Sequence, residues 1–297
     1  MKTKIIALLL VAAFAAGACF AAGGYTLKSG YKANTRYTYK TDDEFKLTSA
    51  MSFGRNLLDQ VYELEVKSTL YERPLSVDKY GNVKLKSYAE INRIELNDVF
   101  QTVRQNGDFQ VAVFSPLNQY KNIVQTSIDG AVKNYEGSEA KYPVFVHYSD
   151  MIYASFVLPK NEVQLGETWI PEPIKLDKNG YIKSEFAITQ IKNKNGETIA
   201  NIHGTSNAVV DVESAVRFFG RVLPRDLLTK SKRYTGQAQI QVTDFEVEFS
   251  LTKGIIRELD VNSYVNLTIT DSSSGATINA VIEADMDREL KSVDSVK

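Results

Sequence analysis

The chain has 297 residues, of which 43% are hydrophobic and 24% are charged; this composition indicates a folded globular protein rather than a disordered or polytopic membrane protein. Its 35 basic and 36 acidic residues give a net charge of −1, so the basic excess that is usual in nucleic-acid-binding proteins is missing. One cysteine, two histidines and one tryptophan leave few residues for metal binding or nucleophilic catalysis.

The first 24 residues have the layout of a secretory signal. Lys2 and Lys4 form a positive start, residues 5–16 are uncharged and apolar, and small residues follow. The apolar segment is too short to span a bilayer core of about 30 Å. We therefore predict a signal peptide over residues 1–21, export to the periplasm or to an outer-membrane-associated location, and a mature chain over 22–297.

Cys19 lies within this signal, and two alternatives follow from its position. Ala16-Gly-Ala before Cys19 is similar to a bacterial lipobox, in which the cysteine is lipidated and becomes the new N-terminus, although Ala16 replaces the usual leucine. The other alternative is ordinary cleavage after Ala21. A lipid anchor at Cys19 is the one membrane attachment that we expect, and neither alternative leaves a disulfide in the mature fold.

From Ala33 onward, apolar and polar residues alternate with the period of two that half-buried β-strands require. The opposite faces carry lysine, glutamate, threonine or aspartate, which favours an antiparallel sheet with one face on the core and one in water. The fold class that we predict is all-β, a hairpin-rich curved sheet or half-barrel. The clearest apolar sets are Phe45/Leu47/Met51/Phe53, Ile182/Phe186/Ile188, Leu259/Val261/Val265/Leu267/Ile269 and Ile278/Ala280/Ile282/Ala284/Met286.

Connections between these runs contain turn residues. Four segments that end in glycine, 78–81, 177–180, 193–196 and 272–275, each separate two alternating runs and predict tight hairpins. The alternation changes phase between Val242 and Phe245, which predicts a β-bulge or a bend there. Weak similarities between the two parts of the mature chain suggest either a single β-rich unit or two related halves that meet at about 140–160.

Two segments have helical rather than strand spacing. Apolar residues recur every three to four positions over about 117–135, after Pro116, and a shorter run of this kind covers about 224–231. We expect an amphipathic helix at 117–135 that covers one face of the sheet. If this helix fills the concave face only in part, Ile123, Ile128 and Val132 line a ligand cavity.

No catalytic or cofactor motif is present in the sequence, and we expect no catalytic residues, metal site or cofactor. His147 and His203 are isolated, with His203 placed near a strand end, and isolated histidines are usually structural. The acidic run Asp42-Asp43-Glu44 indicates a solvated turn between two strands, with weak divalent-ion binding as the alternative. Glu246 and Glu248 alternate with apolar residues and are expected on the wet face of a sheet.

Three segments carry a resemblance to a known group of proteins. The run from Phe156 to Trp169, with Leu-Pro, Val, Gly and Trp in order, resembles a segment of uncharacterised families of exported bacterial β-proteins, many of them lipoproteins. An early glycine before an aromatic strand, here Gly30 before Tyr39, and a late glycine before a strand, here Gly254 before Leu259, resemble the arrangement in the same families. A more distant, architectural likeness is to lipoprotein-carrier half-barrels, in which a curved sheet holds a lipid chain. The first resemblance implies a location but no activity.

Two classes of function follow. The first is a non-catalytic cell-envelope protein that binds a hydrophobic ligand, such as a lipid, or another envelope protein, or that has a structural role. The second is a hydrolase of envelope polymers whose site is built from carboxylates. Two carboxylates about 5–10 Å apart in a cleft would favour the hydrolase, and an apolar groove would favour the binding protein.

Overall fold

The computed structural model describes residues 23–53, 56–77, 83–96, 99–100, 109–114, 152, 155–175, 180–211, 234–273 and 275–296. These residues form twelve β-strands, every strand pair is antiparallel, and the predicted all-β antiparallel class is confirmed. The strands are β1 Thr35–Phe53, β2 Asn56–Val77, β3 Val83–Leu96, β4 Val99–Phe100, β5 Phe109–Phe114, β6 Thr168–Trp169, β7 Ile174–Lys175, β8 Tyr181–Lys194, β9 Glu197–Asp211, β10 Tyr234–Ser250, β11 Ile255–Asp271 and β12 Thr277–Ser295.

All twelve strands belong to one sheet, in the order β4-β3-β2-β1-β12-β11-β10-β9-β8-β6. Strand β5 pairs with β3 beside β4, and β7 pairs with β8 beside β6. The first and last long strands, β1 and β12, are neighbours in the middle, where Phe45 lies opposite Ala284. This central pairing joins an N-terminal meander, β1 to β3, to a C-terminal one, β8 to β12.

The two faces of the sheet differ sharply in polarity. On the face that we call the inner face, the alternating apolar side chains of β1, β2 and β8 to β12 are buried, as the sequence pattern predicted. On the opposite, outer face, the intervening residues are mostly charged or polar and exposed. Examples from β12 are Ile282 and Met286 on the inner face and Glu283 and Asp285 on the outer face.

The strand connections confirm two local predictions. Asn195 and Gly196 join β8 to β9 with φ values of 54° and 79°, the left-handed pair that a tight hairpin needs. Strand β10 contains one extra residue between Val242 and Phe245, because these two residues pair with Ser206 and Gly204 of β9. The pairing of β10 with β11 shifts at the same place, between Val242 and Asp244. This is the predicted bulge.

Two segments outside the long strands lie against the sheet. Residues 25–31, which we call the N-terminal strap, pair with the second segment through Tyr25 and Val163, whose backbone N–H···O distances are 2.7 and 3.1 Å. The second segment, which we call segment 152–169, consists of the described residues 152 and 155–169, ends in the short strand β6 and buries Phe156, Val157 and Leu158 in the core of the inner face. The three stretches that carried the family resemblance are therefore in contact, since the strap also donates a hydrogen bond from the N–H of Gly30 to the carbonyl of Gly254.

Two predictions about local structure are wrong. Asp42-Asp43-Glu44 is not a turn but the middle of β1, where Asp43 is buried on the inner face and Asp42 and Glu44 point outward. His203 lies in the interior of β9, not near its end. The predicted helices at 117–135 and 224–231 fall outside the described residues, as does His147. Within the described residues, no helix is long and apolar enough to cross a membrane.

Candidate functional site

The inner face is a continuous apolar surface that extends from β2 to β8. One cross-strand row runs through Leu47, Ile282, Val265, Ile240 and Ala208, which are opposite one another on five adjacent strands. All five residues are buried in one hydrophobic cluster. The inner-face side chains of these five strands therefore form one continuous apolar layer.

A cluster of aromatic rings fixes segment 152–169 on the β8 to β10 part of this face. Phe186 is at the centre, with its ring 5.2 Å from that of Phe156, 5.6 Å from that of Trp169 and 5.6 Å from that of Phe245. The indole Nε1 of Trp169 donates to the carbonyl of Val157 at 2.9 Å. Edge-to-face rings at these separations stabilise beyond the apolar area that they bury.

Small side chains form one row across the inner face, which we call the small-residue row. It runs Ala284, Ser263, Val242, Ser206, Ser184 from β12 to β8. At the β8 end of the row, segment 152–169 hydrogen-bonds to the serines. The Ser184 hydroxyl donates to the main-chain carbonyl of Ser155 at 3.2 Å, and the Ser206 hydroxyl donates to the Ser184 hydroxyl at 2.7 Å. The lower height of these side chains explains why a segment can approach the sheet closely here.

One end of the inner face is polar and carries a buried ion pair. Arg288 Nη2 lies 2.6 Å from Glu72 Oε1, and both side chains are only 5% exposed. The guanidinium carbon of Arg288 is 4.0 Å from the centroid of the Tyr39 ring, and the Tyr31 hydroxyl donates to Glu72 Oε2 at 2.7 Å. Burial, followed by the nearby charge of Glu72, raises the pKa of Tyr39, so this phenol stays protonated. The strap residue Tyr31 thus ties the N-terminal strap to this pair.

The outer face contains an open trough of about 720 Å³. The residues that line the trough include six acidic residues and one basic residue, Lys46. The hydrogen bond from Lys67, at the edge of the trough, lowers the pKa of Glu65. The acidic residues that line the trough are Glu44, Glu63, Glu65, Glu95, Glu283 and Asp285.

Two aspartates on adjacent strands share this acidic surface. Asp260 on β11 lies opposite Asp287 on β12, and Asp287 lies opposite Asp42 on β1. Burial and a hydrogen bond with Asp287 raise the pKa of Asp260 to about 7, with smaller contributions from the charges of Glu258 and Asp285. Asp260 is not among the residues that line the trough.

The described part of the chain does not include the residues predicted as a site. Cys19 and the predicted cavity-lining residues Ile123, Ile128 and Val132 all lie outside the described residues. Glu246 is on the outer face, as predicted, and so is Glu248, which forms an ion pair with Lys192. Sequence reasoning missed the buried Arg288–Glu72 pair, for which the available signal was a charged residue at an inward position of each of two strands.

No known protein family matches the sequence, and no curated protein is significantly similar to it. Among solved structures, a lipovitellin described for its lipid–protein interactions has a TM-score of 0.42 and 12% identity. The match covers 90% of this chain and 26% of the lipovitellin chain. A DUF1329 family protein from Desulfovibrio piger has a TM-score of 0.15 and 9% identity, with 86% and 85% covered. An outer membrane lipoprotein-sorting protein domain from Vibrio parahaemolyticus has a TM-score of 0.15 and 8% identity, with 85% and 84% covered.

Proposed function

We propose that the protein is a non-catalytic, exported cell-envelope protein that binds a hydrophobic ligand, an acyl chain, against the inner face of its sheet. The observation that supports this function is the continuous apolar inner face, which spans seven long strands from β2 to β8. Binding sites for apolar ligands are lined mainly by apolar side chains with a few polar groups at the margin. The inner face has this composition, with the Arg288–Glu72 pair at one end.

The small-residue row is the place where we expect the acyl chain. Segment 152–169 occupies the Ser184 end of the row, and Ala284 and Ser263 form its other end. Larger side chains flank that second end on the same face: Phe45 lies opposite Ala284, and Ile282 lies opposite Val265. We propose that this end of the row forms a depression between its larger apolar neighbours that takes one acyl chain, and burial of each methylene contributes about 0.8 kcal/mol.

The test combines a lipid analysis with a designed pair of variants. Protein purified from its own envelope is extracted and analysed for acyl lipids, and the delipidated protein is titrated with a fluorescent fatty acid. Ala284→Phe fills the depression and should weaken binding of this probe at least about tenfold, because each buried methylene that is excluded removes about 0.8 kcal/mol. Val281→Phe adds the same ring to the outer face of β12 and should leave binding unchanged.

Two results would overturn this function. One is a wild-type protein that carries no acyl lipid and binds no probe. The other is an Ala284→Phe variant that retains the wild-type circular dichroism and still binds the probe as tightly. If Ala284→Phe does not fold, Ser263→Leu tests the same end of the row with a smaller side chain.

Export is a separate part of the proposal, and it depends on the signal layout of residues 1–21. The mature N-terminus is expected between Cys19 and Gly24. Intact-mass analysis of the native protein separates a diacylglyceryl-modified Cys19 from an unmodified chain that begins near Ala22. A native protein that retains Met1 would contradict export.

The alternative, an envelope-polymer hydrolase, is favoured by one observation, the carboxylate-lined trough on the outer face. Glycoside hydrolysis needs one carboxyl group that is protonated near neutral pH. In the trough, the pKa of Glu65 is shifted in the opposite direction, because Lys67 holds it ionised. Turnover of purified envelope polysaccharide by the wild type, lost in a Glu95→Gln variant, would favour the hydrolase over the binding protein.

A further inference from the structure

One histidine and two carboxylates converge on the outer face of β9 and β10. His203 Nδ1 lies 3.1 Å from Asp244 Oδ1 and 3.2 Å from Glu246 Oε1. The three atoms all lie within 4.8 Å of one another. All three side chains are between 41% and 53% exposed, so the cluster lies at the surface of the sheet.

The bulge in β10 produces this convergence. His203 lies directly opposite Glu246, so these two residues share the outer face in the ordinary way. In a regular strand Asp244 would point to the same face as the buried Val242 and would be turned away from His203. The extra residue between Val242 and Phe245 reverses the alternation, and Asp244 therefore joins Glu246 on the outer face.

The distances from His203 Nδ1 to the two carboxylate oxygens fit a bound divalent metal ion. Bonds of about 2.1 Å from zinc to nitrogen and oxygen place two ligands of a tetrahedron about 3.4 Å apart, close to the 3.1 and 3.2 Å observed here. A single Nδ1–H aligns well with only one acceptor at a time, so a proton on this nitrogen leaves the second carboxylate less well paired. The His203 ring is hydrogen-bonded to Glu246, whereas Asp244 Oδ1 is shielded from solvent and accepts no hydrogen bond.

A second group of convergent carboxylates on the outer face provides a contrast. Asp42, Glu44 and Glu65 also bring three ligand atoms together, but Lys67 neutralises this group, with its Nζ 2.8 Å from Asp42 Oδ2 and 2.5 Å from Glu65 Oε1. Within the described part of the chain, no lysine or arginine forms an ion pair with Asp244 or Glu246. Among the described residues, His203 is therefore the one basic group paired with these two carboxylates.

We propose that His203, Asp244 and Glu246 bind one divalent first-row transition-metal ion of the zinc class. The imidazole supplies the nitrogen that such ions prefer over Mg²⁺ and Ca²⁺, and the two carboxylates supply the charge. Water completes the coordination on the exposed side. This site is on the face opposite to the acyl-binding surface and does not depend on the proposed function. It also departs from the expectation, drawn from the sequence, that the chain has no metal site.

Isothermal titration of the metal-free protein with ZnCl₂ tests the site. We expect one zinc ion per chain for the wild type, with no comparable binding of MgCl₂. His203→Gln should reduce zinc affinity by more than the roughly 10–100-fold that loss of a supporting partner costs a metal site, because it removes a ligand itself. Asp244→Asn should have a similar effect.

Two matched variants serve as controls. His147→Gln removes the chain's other histidine, and Glu44→Gln alters the second carboxylate group; both should bind zinc like the wild type. The absorption spectrum of the Co²⁺-loaded protein should show d–d bands that His203→Gln abolishes. The proposal is wrong if the wild type binds no zinc, if His203→Gln binds zinc as tightly, or if Mg²⁺ competes equally, which would indicate general attraction to acidic residues.

Discussion

The buried ion pair between Arg288 and Glu72 permits a quantitative test of how the sheet is held together. Arg288 is on β12 and Glu72 on β2, so the pair spans the intervening strand β1. At an effective dielectric constant of about 20, unit charges about 4 Å apart attract by about 4 kcal/mol. Removing one member leaves the other buried without its counter-charge, which typically costs about 3–5 kcal/mol. We therefore expect losses of this size in the free energy of unfolding for Arg288→Met and for Glu72→Leu.

The double variant should lose much less than the sum of the two single losses, because apolar replacement of both members leaves no unpaired charge. Urea unfolding followed by Trp169 fluorescence gives the four free energies of this cycle. Arg36 and Asp294 provide the control pair. This pair joins β1 to β12, with 3.3 Å between Arg36 Nη2 and Asp294 Oδ2, and both side chains are about half exposed. Their coupling should not exceed about 1 kcal/mol. Equal coupling energies in the two cycles would refute the reasoning.

Two further predictions concern the outer face and the aromatic cluster. The pKa of Asp260 is raised in the folded state to about 7, from about 4 in the unfolded chain. The folded state therefore binds the proton more tightly, and stability present below pH 4 is lost as the pH rises through 7. Asp287→Asn should flatten this decline in thermal unfolding between pH 5 and pH 8, and an unchanged slope would contradict it. At Gly204, an added Cβ would lie 2.1 Å from Cδ1 of Phe186. Gly204→Ala should destabilise by about 1–3 kcal/mol, and Phe186→Leu in the same chain should recover part of the loss if the ring is the cause.

Local features of this fold could be predicted from the sequence because they depend on neighbours along the chain. Alternation correctly identified the inner-face residues of β8, β11 and β12, such as Phe186, Val265 and Ile282, all of which are buried. The phase change between Val242 and Phe245 correctly located the bulge. Asn195-Gly196 correctly located a hairpin. Each of these features is set by a period of two or by a turn of a few residues.

The features that depend on strand order could not be predicted in this way. Asp42-Asp43-Glu44 suggested a turn because three consecutive acidic residues are unfavourable in an isolated strand. In the sheet, Asp42 faces Lys67 of the neighbouring strand, and that ion pair compensates for the local charge. The partner of β1 on its other side is β12, more than 200 residues away, and no local pattern indicates this pairing.

The candidate metal site shows the same limitation. The partners of His203 are 41 and 43 residues further along the chain, and the pairing of β9 with β10 brings them together. The sequence contained one usable signal, since Asp244 lies within the predicted bulge, Glu246 follows it, and the chain has only two histidines. Without the register of β9 against β10, that signal could not be assigned to His203.

The N-terminal strap makes a final prediction that separates close packing from backbone strain. Gly254 has φ of 68°, and an added Cβ would lie 2.4 Å from the carbonyl oxygen of Lys28 in the strap. Gly196 has a similar φ of 79°, but a Cβ there would meet nothing within 4 Å. Alanine at either position destabilises the fold by roughly 1 kcal/mol, because a side chain is unfavourable in the left-handed backbone conformation. Only Gly254→Ala also displaces the strap.

We therefore expect Gly254→Ala to lower the free energy of unfolding by about 1–3 kcal/mol more than Gly196→Ala does. Limited proteolysis should also cut the strap faster in the Gly254→Ala variant, because the hydrogen bond from Gly30 to Gly254 is lost. Equal losses of stability and equal cleavage rates would mean that the strap does not rest on the β10–β11 turn. If the signal is removed near Ala21, the strap begins a few residues after the new N-terminus. If the chain is instead cleaved before Cys19 and lipidated there, the lipid is attached six residues before the strap, whose Tyr31 reaches the buried Glu72.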